Sequence, residues 1–275
     1  MRDRFAAAGL AALMTIAAAC SRPASAKIDL HANFFPLKTN MVWTYRIDSK
    51  SQHTSYVITD RVVGAQYVPA LKLTGLVVAE FYDLDRAGLR PIVYVDDSGY
   101  LTRLSGLDYD KHRITTPAWG KSEEDNFLPA HLTPNQAWNN ELFPYGKLPG
   151  GFEIVQSHKS FGEPAAIAVP AGHFTGCIRI ETRARYQGGA YAESKQQLKL
   201  TYVDWYAPNV GLIKTIAYQG GPDGPEMERV ELMRFGVAPK SDQFTEAQGI
   251  RPASSQPRAS EAPSARKSLK RAIAG

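Results

Sequence analysis

The chain has 275 residues, of which 44% are hydrophobic and 21% charged. That is enough apolar material for one large core and too much for a disordered or fibrous polymer. The net charge of +5 sits at the ends: residues 249–275 carry Arg251, Arg258, Arg266, Lys267, Lys270 and Arg271 against Glu261 alone, and residues 1–27 carry Arg2, Arg4, Arg22 and Lys27 against Asp3, which leaves 28–248 at −3. The body is mildly acidic, so the basic total gives no support to a nucleic-acid-binding domain, and no nucleic-acid partner is expected.

The first element is a targeting segment. Arg2 and Arg4 precede an Ala-rich apolar stretch, 5–19. A spanning helix needs about 20 apolar residues, so this stretch suits a signal peptide better than an anchor. Two processing sites compete. Ala17-Ala18-Ala19-Cys20 has the form of a bacterial lipobox, with Ala17 where leucine is usual. Ala24-Ser25-Ala26 is an ordinary small-x-small site that would cut before Lys27. The first reading makes residues 1–19 the signal peptide and 20–33 a linker. Cys20 would be lipidated and tether the domain to a bilayer without a spanning helix. Ser21 would then be compatible with delivery to the outer membrane, facing the periplasm. The second reading gives a soluble periplasmic or secreted protein. Either way only Cys177 remains as a thiol, no internal disulfide can form, and Cys177 reads as a small strand residue, with His173 its one histidine neighbour in sequence.

From 34 to 238 the pattern is strand-like almost throughout. Trp43-Thr44-Tyr45-Arg46-Ile47 alternates with period two, as a half-buried strand must. Rich stretches follow at 55–63 and at 71–82, the latter broken by Gly75. The runs 91–95 and 100–104 flank Asp96-Asp97-Ser98-Gly99, a turn-forming set. Further strands are expected at 152–158, 177–186, 198–206, 212–218 and 226–235, about ten in all and spaced as in an all-β meander. Residues 120–150 contain Pro129, Pro134, Pro144 and Pro149 and read as a long loop with short turns.

Two strands carry more detail. Val77, Ala79 and Phe81 share one face and Leu76, Val78 and Tyr82 the other, with Glu80 intruding, so this strand needs a cover on both sides or an internal cavity. The 177–186 strand places Ile178, Ile180, Ala184 and Tyr186 on one face and Arg179, Glu181, Arg183 and Arg185 on the other, a solvated row. Beyond residue 238 Ser, Pro, Ala, Gln, Arg and Lys dominate. Such a segment, 239–275, buries too little to offset its ordering entropy and is expected to be a disordered basic tail, able to touch cell wall, lipopolysaccharide or lipid headgroups.

Catalytic and cofactor motifs do not hold. Gly120-Lys121-Ser122 ends like a phosphate-binding loop, but Thr115 stands where that loop needs its first glycine. His31, His53, His112, His131, His158 and His173 form no metal-binding pair, and no G-x-S-x-G element is present. Asp96, Asp97, Asp108 and Asp110 lack calcium-loop spacing. Glu123 and Glu124 are the one acidic pair worth testing for a hydrolase, although strands also bring distant acids together. No cofactor and no metal are expected, and the expected role is non-enzymatic.

Three stretches carry a resemblance: Phe35-Pro36-Leu37-Lys38-Thr39-Asn40-Met41-Val42-Trp43-Thr44-Tyr45, Val169-Pro170-Ala171-Gly172-His173-Phe174-Thr175-Gly176-Cys177-Ile178-Arg179-Ile180, and Trp205-Tyr206-Ala207-Pro208-Asn209-Val210-Gly211-Leu212-Ile213-Lys214. Together they resemble bacterial envelope proteins of the TapB-like type over roughly 34–236. Asn40 departs from a usual glycine and His173 from a usual threonine. The resemblance implies a single antiparallel, strongly curved sheet or half-barrel, loosely similar to lipoprotein carriers, and its motifs are structural. With the two-sided apolar strands, it leads to the expectation of an envelope lipoprotein binding an apolar ligand or an envelope protein partner on a concave sheet face. A structural or assembly role through the basic tail, or an undetected hydrolase, are the alternatives.

Overall fold

The computed structural model describes residues 33–69, 72–82, 90–97, 99–105, 107–110, 113–115, 123–142, 152–188 and 199–238. Sixteen strands make up its regular structure. They are β1 (Met41–Ser49), β2 (Thr54–Val68), β3 (Leu73–Tyr82), β4 (Arg90–Asp97), β5 (Tyr100–Ser105), β6 (Asp108–Asp110), β7 (Arg113–Thr115), β8 (Glu123–Pro129), β9 (Ala137–Leu142), β10 (Phe152–Gly162), β11 (Ile167–Val169), β12 (Gly172–Phe174), β13 (Ile178–Gly188), β14 (Lys199–Ala207), β15 (Gly211–Gln219) and β16 (Glu226–Val237). Twelve of them form one antiparallel sheet in the order β8-β5-β4-β3-β2-β1-β16-β15-β14-β13-β10-β9. The ten expected strands are all present. The 120–150 stretch is not all loop: it contributes β8 and β9, the two edges of the sheet. Pro129 is tolerated because it ends an edge strand, and Pro134 lies in the connection between the two.

The sheet curls until its edges meet. The first and last strands pair at its centre, Ile47 opposite Val230 and Tyr45 opposite Leu232. At the far sides Leu128 of β8 and Trp138 of β9 share one apolar cluster with Ile178, Ile180 and Tyr206. Bulges at Thr44/Tyr45, Val62/Gly64, Leu101/Thr102, Trp205/Tyr206 and Ala217/Tyr218 supply the bending, and Gly64, at φ 123°, takes a conformation that few side-chain-bearing residues adopt. The result is a barrel-like curve more nearly closed than a half-barrel.

The expected two-sided strand is observed. Leu76 and Val78 face inward with Val62 and Tyr94. Val77 faces outward with Val93, Leu104, Leu107 and Ile114, so the β6–β7 hairpin region covers the outer face there. Gly75 is required by this packing: a Cβ at that position would lie 2.4 Å from Val93 Cγ1 and 3.0 Å from the Tyr94 carbonyl oxygen. Gly75→Ala is therefore expected to destabilise the fold by about 1–3 kcal/mol, as overpacking does, measured by urea unfolding. The row Arg179, Glu181, Arg183 and Arg185 lies on the outer surface; Arg183 bonds Glu181 at 2.7 Å with its side chain 70% exposed, and Arg179 stacks 4.6 Å over Phe161.

Candidate functional site inside the barrel

The inside of the barrel has two halves. One end, where β1 begins, is filled by protein. Phe34 and Phe35 enter between the sheet walls: Phe34 is buried beside Leu128, Leu132 and Trp138, and Phe35 packs on Trp43 (6.2 Å), Tyr94 (5.2 Å) and Phe127 (5.1 Å). Trp43 is 3% exposed and donates from Nε1 to the Val210 carbonyl at 2.6 Å. Tyr45 donates to the Leu212 carbonyl at 3.1 Å. The Asn209 amide donates to the Asn33 carbonyl at 2.9 Å, and Gly211, at φ 105°, lies against the Trp43 ring.

These contacts explain the three resembling stretches. The first and third are one docking surface, the plug and the turn that grips it. The second forms β11 and β12, whose Ala171 amide donates to the Leu232 carbonyl at 2.9 Å while Phe174 meets Phe235 at 5.9 Å. Asn40 has φ 68°, the left-handed region where Asn is the usual substitute for Gly. His173 is exposed and leaves the hairpin undisturbed. Trp43, Tyr45 and Tyr206 are buried, and Phe174 and Trp205 pack against the same core while half-buried, so these aromatics serve packing.

The other half is polar. Register fixes which side chains point in. Trp43 of β1 lies beside Asp60 of β2, Asp60 beside Glu80 of β3, and Glu80 beside Arg90 of β4. From the opposite wall come Asp204 of β14 and Thr215 of β15, with Glu228 of β16 alongside Ala217. Asp60, Glu80, Arg103, Tyr202, Asp204 and Glu228 all face inward, yet each keeps part of its surface accessible. These inward side chains are less completely buried than the aromatics at the other end.

The electrostatics are those of a low-dielectric enclosure. Burial, with the charge of Glu80 beside it, holds the Asp60 carboxyl well above the carboxylate range. Glu80 is raised by burial and partly relieved by the Tyr82 hydroxyl, Arg90 and Arg103. Asp204 is pushed by burial up to about 6 against the hydrogen bond from Thr215, 2.6 Å, and the charge of Arg103. Arg103, which stands opposite Tyr94 with its guanidinium 4.8 Å over the Phe127 ring, lowers both Glu80 and Asp204. Burial raises Glu228 as well, and lifts Tyr56 to about 12. The Asp60 Oδ1 atom is buried without a hydrogen-bond partner.

The residues singled out from sequence divide sharply. Cys177 is fully buried in the apolar core, and burial raises its thiol to about 11, which removes the thiolate a nucleophile needs. His158 is a structural strut: Nε2–H donates to Asn140 Oδ1 at 2.9 Å, Nδ1 and the Thr182 hydroxyl share a hydrogen bond of 2.8 Å, and the ring stacks on Trp138 at 4.9 Å. Glu123 and Glu124 open β8 opposite Ser105 and Leu104. Cys20, the leader and the tail 239–275 lie outside the described residues. Sequence reasoning passed over Asp60, Asp204 and Glu228; the one available signal was Glu80, a carboxylate on an otherwise apolar strand face. Among the described residues no cluster of three or more His, Cys, Asp or Glu side chains is placed to hold a metal ion.

No family model matches the chain, and no curated protein matches it. Two solved structures are similar in fold. One is a protein of Parabacteroides distasonis ATCC 8503, provisionally named a lipoprotein, at 17% identity and TM-score 0.46, covering 74% of this chain and 99% of that one. The other is a protein of Bacteroides fragilis NCTC 9343, provisionally named an exported protein with a YmcC-like fold, at 15% identity and TM-score 0.38, covering 74% of this chain and 99% of that one.

Proposed function

We propose that the chain is an exported envelope protein of the TapB-like type, lipid-anchored through Cys20, whose barrel interior binds a small ligand without transforming it. The observation that carries the binding role is the polar half of the interior, where inward carboxyls stay raised and Asp60 Oδ1 goes unbonded. Buried polar groups without partners cost stability, and perturbed titratable groups gathered in a concavity mark a candidate ligand site. An entirely apolar ligand fits less well than expected from sequence, because the apolar half is already filled by Phe34, Phe35 and Trp43. The leader and its lipobox-like Cys20 support the envelope location and the anchor, with the outer membrane as its destination.

Intact mass spectrometry of the protein purified from membranes, under native and then denaturing conditions, tests both parts. The expected native spectrum shows a non-covalent adduct that denaturation removes, and the denatured chain begins at a lipid-bearing Cys20. A chain beginning at Lys27 would overturn the anchor. A ligand-free species that also admits no small molecule on soaking would overturn the binding role. A second reading, an acid/base hydrolase, draws on the adjacent carboxyls Asp60 and Glu80. Recovery of the bound molecule cleaved, by wild type and not by Asp60→Asn, would establish it over the binding role.

A further inference from the structure

We propose that the polar half of the interior takes an organic cation of the alkylammonium type, with its charge against Asp60 and Glu80 and its carbon body beside Tyr56 and Tyr82. This inference rests on the binding role above and names the ligand's chemistry. Four observations lead to it.

The first is charge balance. Among the described inward side chains of this half, Asp60, Glu80, Asp204 and Glu228 face only Arg90 and Arg103 as strong bases. Counted as ionised, these side chains are two positive charges short of neutrality, a shortfall that burial eases by favouring the protonated acids. A bound cation meets it equally well.

The second observation is the orphaned acceptor. Asp60 Oδ1 is buried and unbonded, whereas an ammonium offers N–H donors and charge together. The third is the wall itself. Tyr82 hydrogen-bonds Glu80, and Tyr56, near Glu80 and Glu228, stacks on the Tyr82 ring at 6.1 Å. The guanidinium of Arg90 stands 4.4 Å over the Tyr82 ring, so this half already holds a cation against an aromatic face. The fourth is dispersion of the acids. They come from β2, β3, β14 and β16 and do not converge on a point, which suits an extended organic cation and not a bare metal ion.

The test is isothermal titration calorimetry on the full mature chain with hexylammonium, hexanol and hexanoate, three probes of one length and different charge. Hexylammonium is expected to bind at least about tenfold more tightly than the other two, and to lose about tenfold in affinity between about pH 7.5 and pH 5.5, because protons compete for Asp60. The carboxyls Glu80, Asp204 and Glu228 and the arginines Arg90 and Arg103 share that enclosure, and the tyrosines stay neutral over the range. Runs in two buffers of unlike ionisation enthalpy are expected to show proton release on binding. Asp60→Asn is expected to remove the preference for the cation while hexanol binding is unchanged, and Glu80→Gln to weaken it in the same sense. A single cooperative unfolding transition, at or above that of the wild type, in these variants rules out misfolding as the cause.

Binding of hexanol or hexanoate as tight as that of hexylammonium, or a cation affinity unmoved by pH and by Asp60→Asn, overturns the cation assignment and leaves the ligand site standing. Failure of all three probes, together with a ligand-free native spectrum, overturns both.

Discussion

Trp43→Ala is expected to destabilise the protein by about 3–5 kcal/mol, the range for deleting a fully buried large aromatic side chain. Trp43 is the joint between the plug and the turn that grips it. Its ring stacks on Phe35, its Nε1–H satisfies the Val210 carbonyl, and Gly211 lies against its edge. Removing it frees three neighbours at once, and Phe35 loses the surface that holds it between Tyr94 and Phe127. Trp43→Phe separates the parts of this effect: it keeps most of the packing and loses the hydrogen bond, so about 1–2 kcal/mol is expected. Chemical unfolding of the two variants measures the difference. Equal, small losses for both would mean that the plug contributes little and that the sheet holds its curve without it.

Stability is also expected to fall as pH rises from about 4 to 7, the reverse of ordinary acid denaturation. Asp60, Glu80, Asp204 and Glu228 all hold their protons more tightly folded than unfolded. A carboxyl raised in this way contributes stability that is complete below its unfolded value and is lost as pH climbs through its folded value. For Asp204 that folded value is about 6, and a rise of this size corresponds to about 3 kcal/mol. Glu226 acts in the opposite sense, because the hydrogen bond from Arg229 lowers it, but it sits at the surface where screening weakens the effect. Asp204→Asn keeps an acceptor for Thr215 and carries no charge. It is expected to raise stability at pH 7.5 by about 2 kcal/mol, to change little at pH 4.5, and so to flatten the profile. Urea unfolding of wild type and variant at the two pH values checks this. A wild type equally stable at both would show that the interior acids are fully hydrated.

How far the residues themselves announce this architecture depends on the element. The alternation in β1 is plain in Trp43-Thr44-Tyr45-Arg46-Ile47, and the burial found follows it except at Thr44, which is buried beside the bulge. The turn at 96–99 and the two-faced character of 76–82 are equally plain. β8 and β9 are not, because an edge strand has one hydrogen-bonding partner and tolerates Pro129 and a polar run. The short pairs β6–β7 and β11–β12 are only three residues a strand, below the length at which a period of two can be recognised.

What the sequence alone determined is local: strand identity, face alternation and turns, together with a leader that argues for export. Each follows from interactions within a few residues along the chain. The interior site was decided by the tertiary structure. Asp60 reads as one polar residue within a β-branched run, Asp204 as one between Val203 and Trp205, and Glu228 as one within a charged stretch. Only the register across β1, β2 and β3, and the curl that brings β14 across from β8 and β5, place these acids in one interior. The physical reason is that the closure of the sheet and its curvature depend on contacts between residues more than a hundred positions apart, such as Tyr45 with Leu232 and Trp43 with Val210. Such contacts leave no periodic trace along a single chain.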